Sequence, residues 1–600
     1  MGLVDVAQTL TNVPTLLKLK RGMKPRPAEV VDSLAARVEA SAARIGSRNA
    51  IVFEGQNVSW AEFNALANQY AHTLAAMGLT RGDRASLVME NRVEFLAMIV
   101  GLNKLGVQTA LINTNLRGRP LVHCITVINS KICIFGAELS DAIAEVRGDL
   151  PLGEGDYYVV PDGGEQGADW AQNLSDMAKT ASQENPTSTQ ETTIGETALY
   201  IYTSGTTGLP KAAVLSNRRF LMSADMSAKA GLKSSEKDRI YLCLPLYHGT
   251  GLMIGAGASF TSGASMFIRR KFSASNFLRE VREHNCTCLV YIGELCRYLT
   301  NHPSLPDDDK NPLRAAIGNG MRPDVWHNFK SRYGFKRICE FYGSSEGNVA
   351  FANLMNKDCT VGMTSAEVAL VQYDVHNDEI VRDNQGRCIE VQPGEAGLLL
   401  GKITQDAVFE GYTDSEATEK KILRGALTDG DAWFNTGDLM RTVDVGYTLG
   451  YDHYQFVDRV GDTFRWKSEN VSTNEVGEII NGFEQVKFCN IYGVEVPGAD
   501  GRAGMAALTL EEGVTQFDTS AFAAYVRQEL PAYAVPVFLR IQPDIDVTGT
   551  FKMVKGDLRK EAYDISQFPD PVYIMKSGTS EYVELDNDYI AAIKAGEAGF

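Results

Sequence analysis

Tyr202-Thr203-Ser204-Gly205-Thr206-Thr207-Gly208-Leu209-Pro210-Lys211 follows directly on the apolar run Ala198-Leu199-Tyr200-Ile201. A strand that runs into such a loop decides the fold class. Glycines let the backbone turn tightly and bring amide N–H groups close to an anion. The hydroxyls of Thr203, Ser204, Thr206 and Thr207 add donors, and Lys211 adds a positive charge. Together these groups suit a polyphosphate. The loop is not a Walker A motif, because Lys211 lies between Pro210 and Ala212 where that motif requires Gly-Lys-Ser/Thr. A hydroxyl-rich turn without function is the competing reading.

Upstream of the loop, helix and strand patterns alternate. Apolar residues recur at helical spacing over Ala61 to Met77, and Gly82-Asp83 turns the chain into a strand from Arg84 to Met89. Further helix–strand units run through Leu111 and through Ile132 to Phe135, which predicts a layered α/β domain. The polar stretch from Gly163 to Glu196 reads as a mobile surface connection. Downstream, Gly394 to Phe409 and Thr442 to Val457 read as short strands of a small β-rich, barrel-like subdomain. Helices are expected from Asn474 and from Phe517. The fold class is therefore α/β, with a change of pattern near Arg459 to Asp462 separating a large domain, residues 1–461, from a smaller α+β one, residues 462–600.

A chain of 600 residues exceeds one hydrophobic core. Its composition, 44% hydrophobic and 22% charged, is that of a globular protein. The formal net charge of -17 argues against general nucleic-acid binding, which depends on cations neutralising phosphates. The ten cysteines are scattered without CxxC or zinc-ligand spacing, as expected for buried free thiols in a reducing, cytoplasmic setting. Phe95 to Ile112, the nearest approach to a membrane span, is interrupted by Asn103, Lys104 and Gln108. Residues 3–27 carry Lys18, Lys20, Arg21, Lys24 and Arg26 against Asp5, among leucines. Two readings stand: an arm in peripheral contact with the inner face of a membrane, or a terminal helix packed on its own domain.

The run from Tyr202 to Lys211 resembles the phosphate loop of the adenylate-forming enzymes, which include acyl-CoA synthetases, peptide-synthetase adenylation domains and luciferases. The family's other motifs follow in order. Gly318-Asn319-Gly320-Met321-Arg322 resembles the segment lining the adenine pocket, which implies nucleotide contacts at Asn319 and Gly320. Glu340-Phe341-Tyr342-Gly343-Ser344-Ser345-Glu346 matches the motif whose Tyr packs on adenine, whose hydroxyl residue meets the α-phosphate and whose Glu holds Mg²⁺. These are Tyr342, Ser345 and Glu346, with Gly343 and Ser344 between them. The phosphate loop then contributes Thr203, Ser204, Gly205, Thr206, Thr207, Gly208 and Lys211, with Thr206 as a second magnesium ligand. The resemblance places Asp438 of Asn435-Thr436-Gly437-Asp438 on the ribose hydroxyls, and Arg459 near ribose and phosphate.

Asp462 matches the family's hinge, and Phe464 to Val471 matches the loop that enters the site for thioester formation with coenzyme A, through Trp466, Ser468 and Glu469. The family commonly has Gly where this chain has Ser468, and that Gly lets the thiol's arm pass, so the resemblance implies that the serine side chain could narrow the tunnel. Thr548-Gly549-Thr550-Phe551-Lys552 resembles the C-terminal lysine motif, which makes Lys552, Glu346 and Thr206 the implied catalytic groups. Tyr247 and His248 fall beside the family's acyl pocket, where His248 borders the carboxylate or is simply packed. Leu111 to Arg117, Thr463 to Trp466 and Thr548 to Lys552 look most like the fatty acid transport protein and very-long-chain acyl-CoA synthetase branch. The resemblance implies a long-chain or very-long-chain fatty acid–CoA ligase using ATP, Mg²⁺ and coenzyme A, with a mobile C-terminal lid and small-molecule partners. Alternatives stay open: a ligase for another acid (a steroid side chain, carnitine-like or bile-acid-like) or another acceptor, and a membrane-associated fatty-acid binding or uptake protein. A homodimer is also left open.

Overall fold

The computed structural model describes residues 6, 9–14, 26–165, 167–203, 210–343, 347–374, 379–405, 407, 409, 411–466, 469–497, 499, 501–544 and 555–599. Its first sheet has seven strands, in spatial order Gln172–Asn173, Tyr157–Val160, Ile132–Gly136, Arg84–Val88, Gln108–Leu111, Thr197–Thr203 and Lys211–Ser216. All neighbours are parallel except the last pair, a hairpin in which Thr203 faces Lys211. A second sheet of eight strands runs Ala350–Ala352, Arg337–Gly343, Ala315–Asn319, Cys288–Ile292, Arg239–Leu242, Ser265–Ile268, Asn49–Phe53 and Gln56–Ser59. Its six inner strands are parallel and its two edges antiparallel.

The largest core joins both sheets through helices read correctly from periodicity. Trp60–Ala76 begins at a capping box, in which Glu62 N donates to Ser59 Oγ and Ser59 N to the Glu62 carboxylate. It buries Phe63, Ala67, Tyr70 and Leu74 on one face. Val93–Lys104 is buried on nearly all sides, as befits a helix lying between two layers.

The polar stretch after Gly163 is built differently from the expected loose connection. It holds the strand Gln172–Asn173, the helix Leu174–Ala178 and a 3₁₀ turn at Thr187–Glu191. The polar face of helix Trp60–Ala76 fastens it: Asn68 Nδ2 donates to Gln183 O at 2.6 Å and Gln69 Nε2 to Ala178 O at 3.1 Å. Trp170 adds a stacked contact with Phe135. Beyond the two sheets, Val368–Val371, Gly397–Lys402, Ala432–Val443, Ile422–Arg424 and His453–Arg459 form a five-stranded sheet, which is open rather than barrel-like among the described residues. A separate core, running from Phe464 to Ile593, is built on the sheet Val486–Glu495, Arg502–Leu510, Phe538–Ile541, Val572–Met575 and Tyr582–Glu584.

Part of the basic N-terminal arm packs on the body. Thr9 donates to Tyr447 O at 2.8 Å, and buried Asn12 donates to Met355 O and accepts from Lys233 at 3.1 Å. Among the described residues, no helix is long and apolar enough to cross a membrane.

Candidate functional site

In a parallel sheet, ligands gather outside the carboxyl ends of the strands. The strands Ala315–Asn319 and Arg337–Gly343 end side by side at that edge and bring Asn319 and Tyr342 to it. The turn after Asn319 is gripped from both flanks. Tyr291, Gly318 and Glu340 are lateral neighbours in one row of the sheet. Because Gly318 has no side chain, Tyr291 crosses over it: a Cβ there would lie 2.5 Å from the Tyr291 ring and 2.2 Å from its carbonyl oxygen. The Tyr291 hydroxyl pairs with Glu340 Oε2, while Met321 N donates to Oε1 at 2.9 Å. Burial pushes the Glu340 carboxyl up to about 8, opposed by these hydrogen bonds. From a π-helical turn at Thr250–Ala256, Thr250 Oγ1 donates to Asn319 Oδ1 at 3.0 Å. Gly320 adopts a left-handed φ of 80°, and its carbonyl lies where any side chain on Gly293 would have to go.

Three of the residues implied by the motifs meet at one point. The Tyr342 hydroxyl donates to Asp438 Oδ2 at 2.6 Å, and Arg459 Nε stands 3.2 Å from Asp438 Oδ1. Asp438 and Arg459 are register partners in the open sheet, so neighbouring strands set their spacing. Asp438 is buried, and its negative charge together with burial raises the Tyr342 phenol well above its ordinary range. Tyr342 also stacks near Phe456 and meets the edge of Phe351, which fixes the plane of its ring. Lys211 opens its strand exposed, with its ammonium 5.4 Å from the Tyr412 ring centroid.

Tyr247 is buried, 5.4 Å ring to ring from His248, and burial pushes its phenol up to about 12. The segment that carries both is held by Asn91, whose Oδ1 accepts from Leu246 N at 2.8 Å and whose Nδ2 donates to Leu244 O and Arg269 O. Asp462 pairs with Arg559 at 2.8 Å and lies 3.8 Å from Lys555. Trp466 and Glu469 close a short hairpin, with Trp466 packed in the C-terminal core and Glu469 exposed. The Thr203 side chain and Ser204, Gly205, Thr206, Thr207, Gly208, Ser344, Ser345, Glu346, Ser468 and Lys552 lie outside the described residues. Among the described residues, no group of three or more His, Cys, Asp or Glu side chains could hold a metal ion.

The AMP-binding enzyme model matches residues 38–413, and the AMP-binding enzyme C-terminal domain model matches residues 475–552. The chain belongs to the AMP-binding enzyme family. It is 38% identical to the medium/long-chain-fatty-acid–CoA ligase FadD6 of Mycobacterium tuberculosis, over 99% of this chain and 97% of that protein. Long-chain fatty acid transport protein 2 of Rattus norvegicus is 39% identical, over 90% of this chain and 87% of that protein. Among solved structures, the anthranilate CoA ligase AuaEII in complex with anthranoyl-AMP has the same fold: TM-score 0.74 at 20% identity, with 90% of this chain and 99% of that one covered. This family membership accounts for the order of the motifs. Glu340, Tyr291, Thr250 and Asn91, which brace the family's expected nucleotide and acyl regions, were not singled out by the motifs. Glu340 lies within the Glu340–Glu346 motif, but its partners, Tyr291 on the strand Cys288–Ile292 and Met321 in the turn after Asn319, are distant in sequence.

Proposed function

We propose that this chain is an AMP-forming fatty acid–CoA ligase for long or very long acyl chains. What supports the reading is the full-length likeness to FadD6, joined to the cluster of Tyr342, Asp438 and Arg459 beside the Asn319 turn. In this reading the adenine lies against Tyr342 and the turn at Asn319-Gly320. The Asp438 carboxylate has about four acceptor positions, of which Tyr342 and Arg459 take one each, so two remain for the ribose hydroxyls. The loop from Thr203 to Lys211 receives the phosphates. Glu346 and Thr206 would hold the magnesium ion that accompanies ATP, a cation that favours carboxylates together with substrate phosphates and would neutralise phosphate charge.

Lys552 neutralises charge between the two reacting anions, the acid's carboxylate and the α-phosphate. The carboxylate oxygen bonds to the α-phosphorus and pyrophosphate leaves. The coenzyme A thiol then loses its proton and attacks the acyl carbon, which forms the thioester and releases AMP. The lid, residues 462–600, exchanges between the two halves about Asp462, and residues 464–471 line the thiol's approach past Ser468. Tyr247 and His248 border the acyl chain on a segment set by Asn91. Peripheral membrane contact belongs to residues 3–27; deleting them abolishes vesicle pelleting on this reading, and unchanged pelleting rejects it.

The test is coenzyme A-dependent AMP release from ATP across acids from acetate to very-long-chain fatty acids, with Lys552→Ala alongside. Turnover concentrated on long chains, and reduced by about 10²–10³ in the variant, supports the ligase. Pyrophosphate exchange without thioester points to another acceptor, and silence with every acid favours a fatty-acid binding protein.

A further inference from the structure

Helix Thr473–Ile480 is the first helix beyond Asp462, and its N-terminus is held by a carboxylate from the other side of that point. Asp458 lies in strand His453–Arg459 and is 1% exposed. Its Oδ2 accepts from Thr473 N at 2.7 Å and from Thr473 Oγ1 at 3.0 Å. Its Oδ1 accepts from Asn474 Nδ2 at 3.2 Å and from Arg459 N at 2.9 Å. The helix's own cap, Ser472, already serves Glu475 N. Asp458 therefore takes a donor that the helix cannot satisfy itself, at the end where its dipole favours negative charge.

Two cations converge on the same junction. Lys555 Nζ donates to Thr473 Oγ1 at 2.9 Å, so the threonine hydroxyl accepts from Lys555 while it donates to Asp458. Arg322 Nη2 donates to Asn474 Oδ1 at 3.3 Å, and Asn474 Nδ2 also reaches Val457 O at 3.1 Å. Arg322 directly continues the Asn319-Gly320-Met321 turn, and Lys555 stands three residues beyond Lys552. The junction that fixes the helix thus also gathers Lys555 and Arg322, which directly follows the adenine-lining turn, on adjacent residues of that helix. Burial works against both charges, pushing the Asp458 carboxyl up and the Lys555 ammonium down, and the attraction between them opposes each shift.

We propose that Asp458 is a positioning residue that latches the lid onto the body in the arrangement that serves adenylation. This rests on the ligase reading above and adds to it a named contact for one of its two states. Adenylation needs the latch made, because the lysine segment must be presented to the nucleotide. Thioester formation needs it released, because residues 464–471 must turn into the site. A carboxylate buried at the pivot suits this role: its hydrogen bonds are strong when made, and breaking them exposes the group to water instead of stranding it.

The experiment uses the full-length protein with Asp458→Asn and Asn474→Ala. Adenylation is read as fatty-acid-dependent ATP–pyrophosphate exchange, and thioester formation as a single turnover from supplied acyl-adenylate and coenzyme A. Asp458→Asn, nearly isosteric, is expected to lower exchange about tenfold, the weight of a charge-assisted hydrogen bond, and to leave the thioester step equal or faster. Asn474→Ala is expected to shift the two steps in the same directions by a smaller factor. A parallel fall in both steps, or no change in either, overturns the latch while leaving the ligase intact. Wild-type protein without exchange on any acid overturns the ligase reading and the latch with it.

Discussion

Glu340 can satisfy its neighbours fully only as a carboxylate, yet its surroundings resist the charge. As an anion it accepts from the Tyr291 hydroxyl and from Met321 N, and every donor is used. As a neutral acid, it and Tyr291 carry two hydroxyl hydrogens for one contact. Burial still dominates and raises the carboxyl to about 8, from a starting value of 4.5. Between those values the folded chain binds a proton that the unfolded chain has released, so this site's contribution to stability is full below about pH 4.5 and declines as pH rises to about 8. Glu340→Gln does not titrate and still offers an acceptor to Met321 N. Its unfolding temperature relative to wild type should therefore rise from pH 5 to pH 8, and a flat difference would show that Glu340 does not titrate there. Tyr291→Phe loosens the same turn without removing any group proposed to touch ATP. It should raise KM for ATP more than it lowers kcat; the reverse pattern would remove Glu340 and Tyr291 from the support of the nucleotide site.

At the scale of elements, periodicity made the helix Trp60–Ala76 and the buried helix Val93–Lys104 legible, because each depends mainly on its own sequence. The stretch after Gly163 holds more structure than its composition suggests, for a physical reason. Its polar composition looks like solvated loop, but its carbonyls are taken up by Asn68 and Gln69, which lie about a hundred residues earlier. Likewise, the motif positions of Tyr342, Asp438 and Arg459 could be read in order along the chain. That Glu340 meets Tyr291 across Gly318 depends on the register of three parallel strands, which no local pattern encodes. Gly318→Ala tests this row of the sheet. Its Cβ meets the Tyr291 carbonyl and ring at once, with backbone on one side that cannot yield. The substitution should destabilise the fold by about 1–3 kcal/mol, in the range of overpacked cores, and weaken ATP binding along with it. Denaturant unfolding would show this, and an unchanged midpoint would mean the strands can separate to admit the methyl.

For the whole molecule, the question is what holds the C-terminal unit against the body, and charge across that junction supplies a second control besides Asp458. Glu478 sits on the lid helix Thr473–Ile480 and faces Arg322, Asp324 and Arg297 of the body, with Glu475 beside it on its own helix. Arg297 is itself shared between Asp324 at 3.3 Å and Glu294 at 3.8 Å, so it is only partly available to Glu478. Burial at the junction therefore prevails and raises Glu478 from 4.5 to about 7. On the proposed lid movement, undocking exposes the carboxyl to water and returns it to its ordinary value. Between the two values the docked lid binds a proton that the undocked lid does not, so docking is strongest below about pH 4.5, weakens as pH rises to about 7 and is level above that. Trypsin cleavage after Arg459, just before the pivot, divided at each pH by trypsin's rate on an unstructured peptide, should accelerate over this range in the wild-type protein. Glu478→Gln should keep the lid docked and flatten the profile. The two controls differ in kind as well as place: the proposed hold of Asp458 rests on the hydrogen bonds it accepts from Thr473 and Asn474, whereas that of Glu478 rests on its own protonation. A profile in Glu478→Gln as steep as in the wild type would assign the pH response to Asp458 and Lys555 instead.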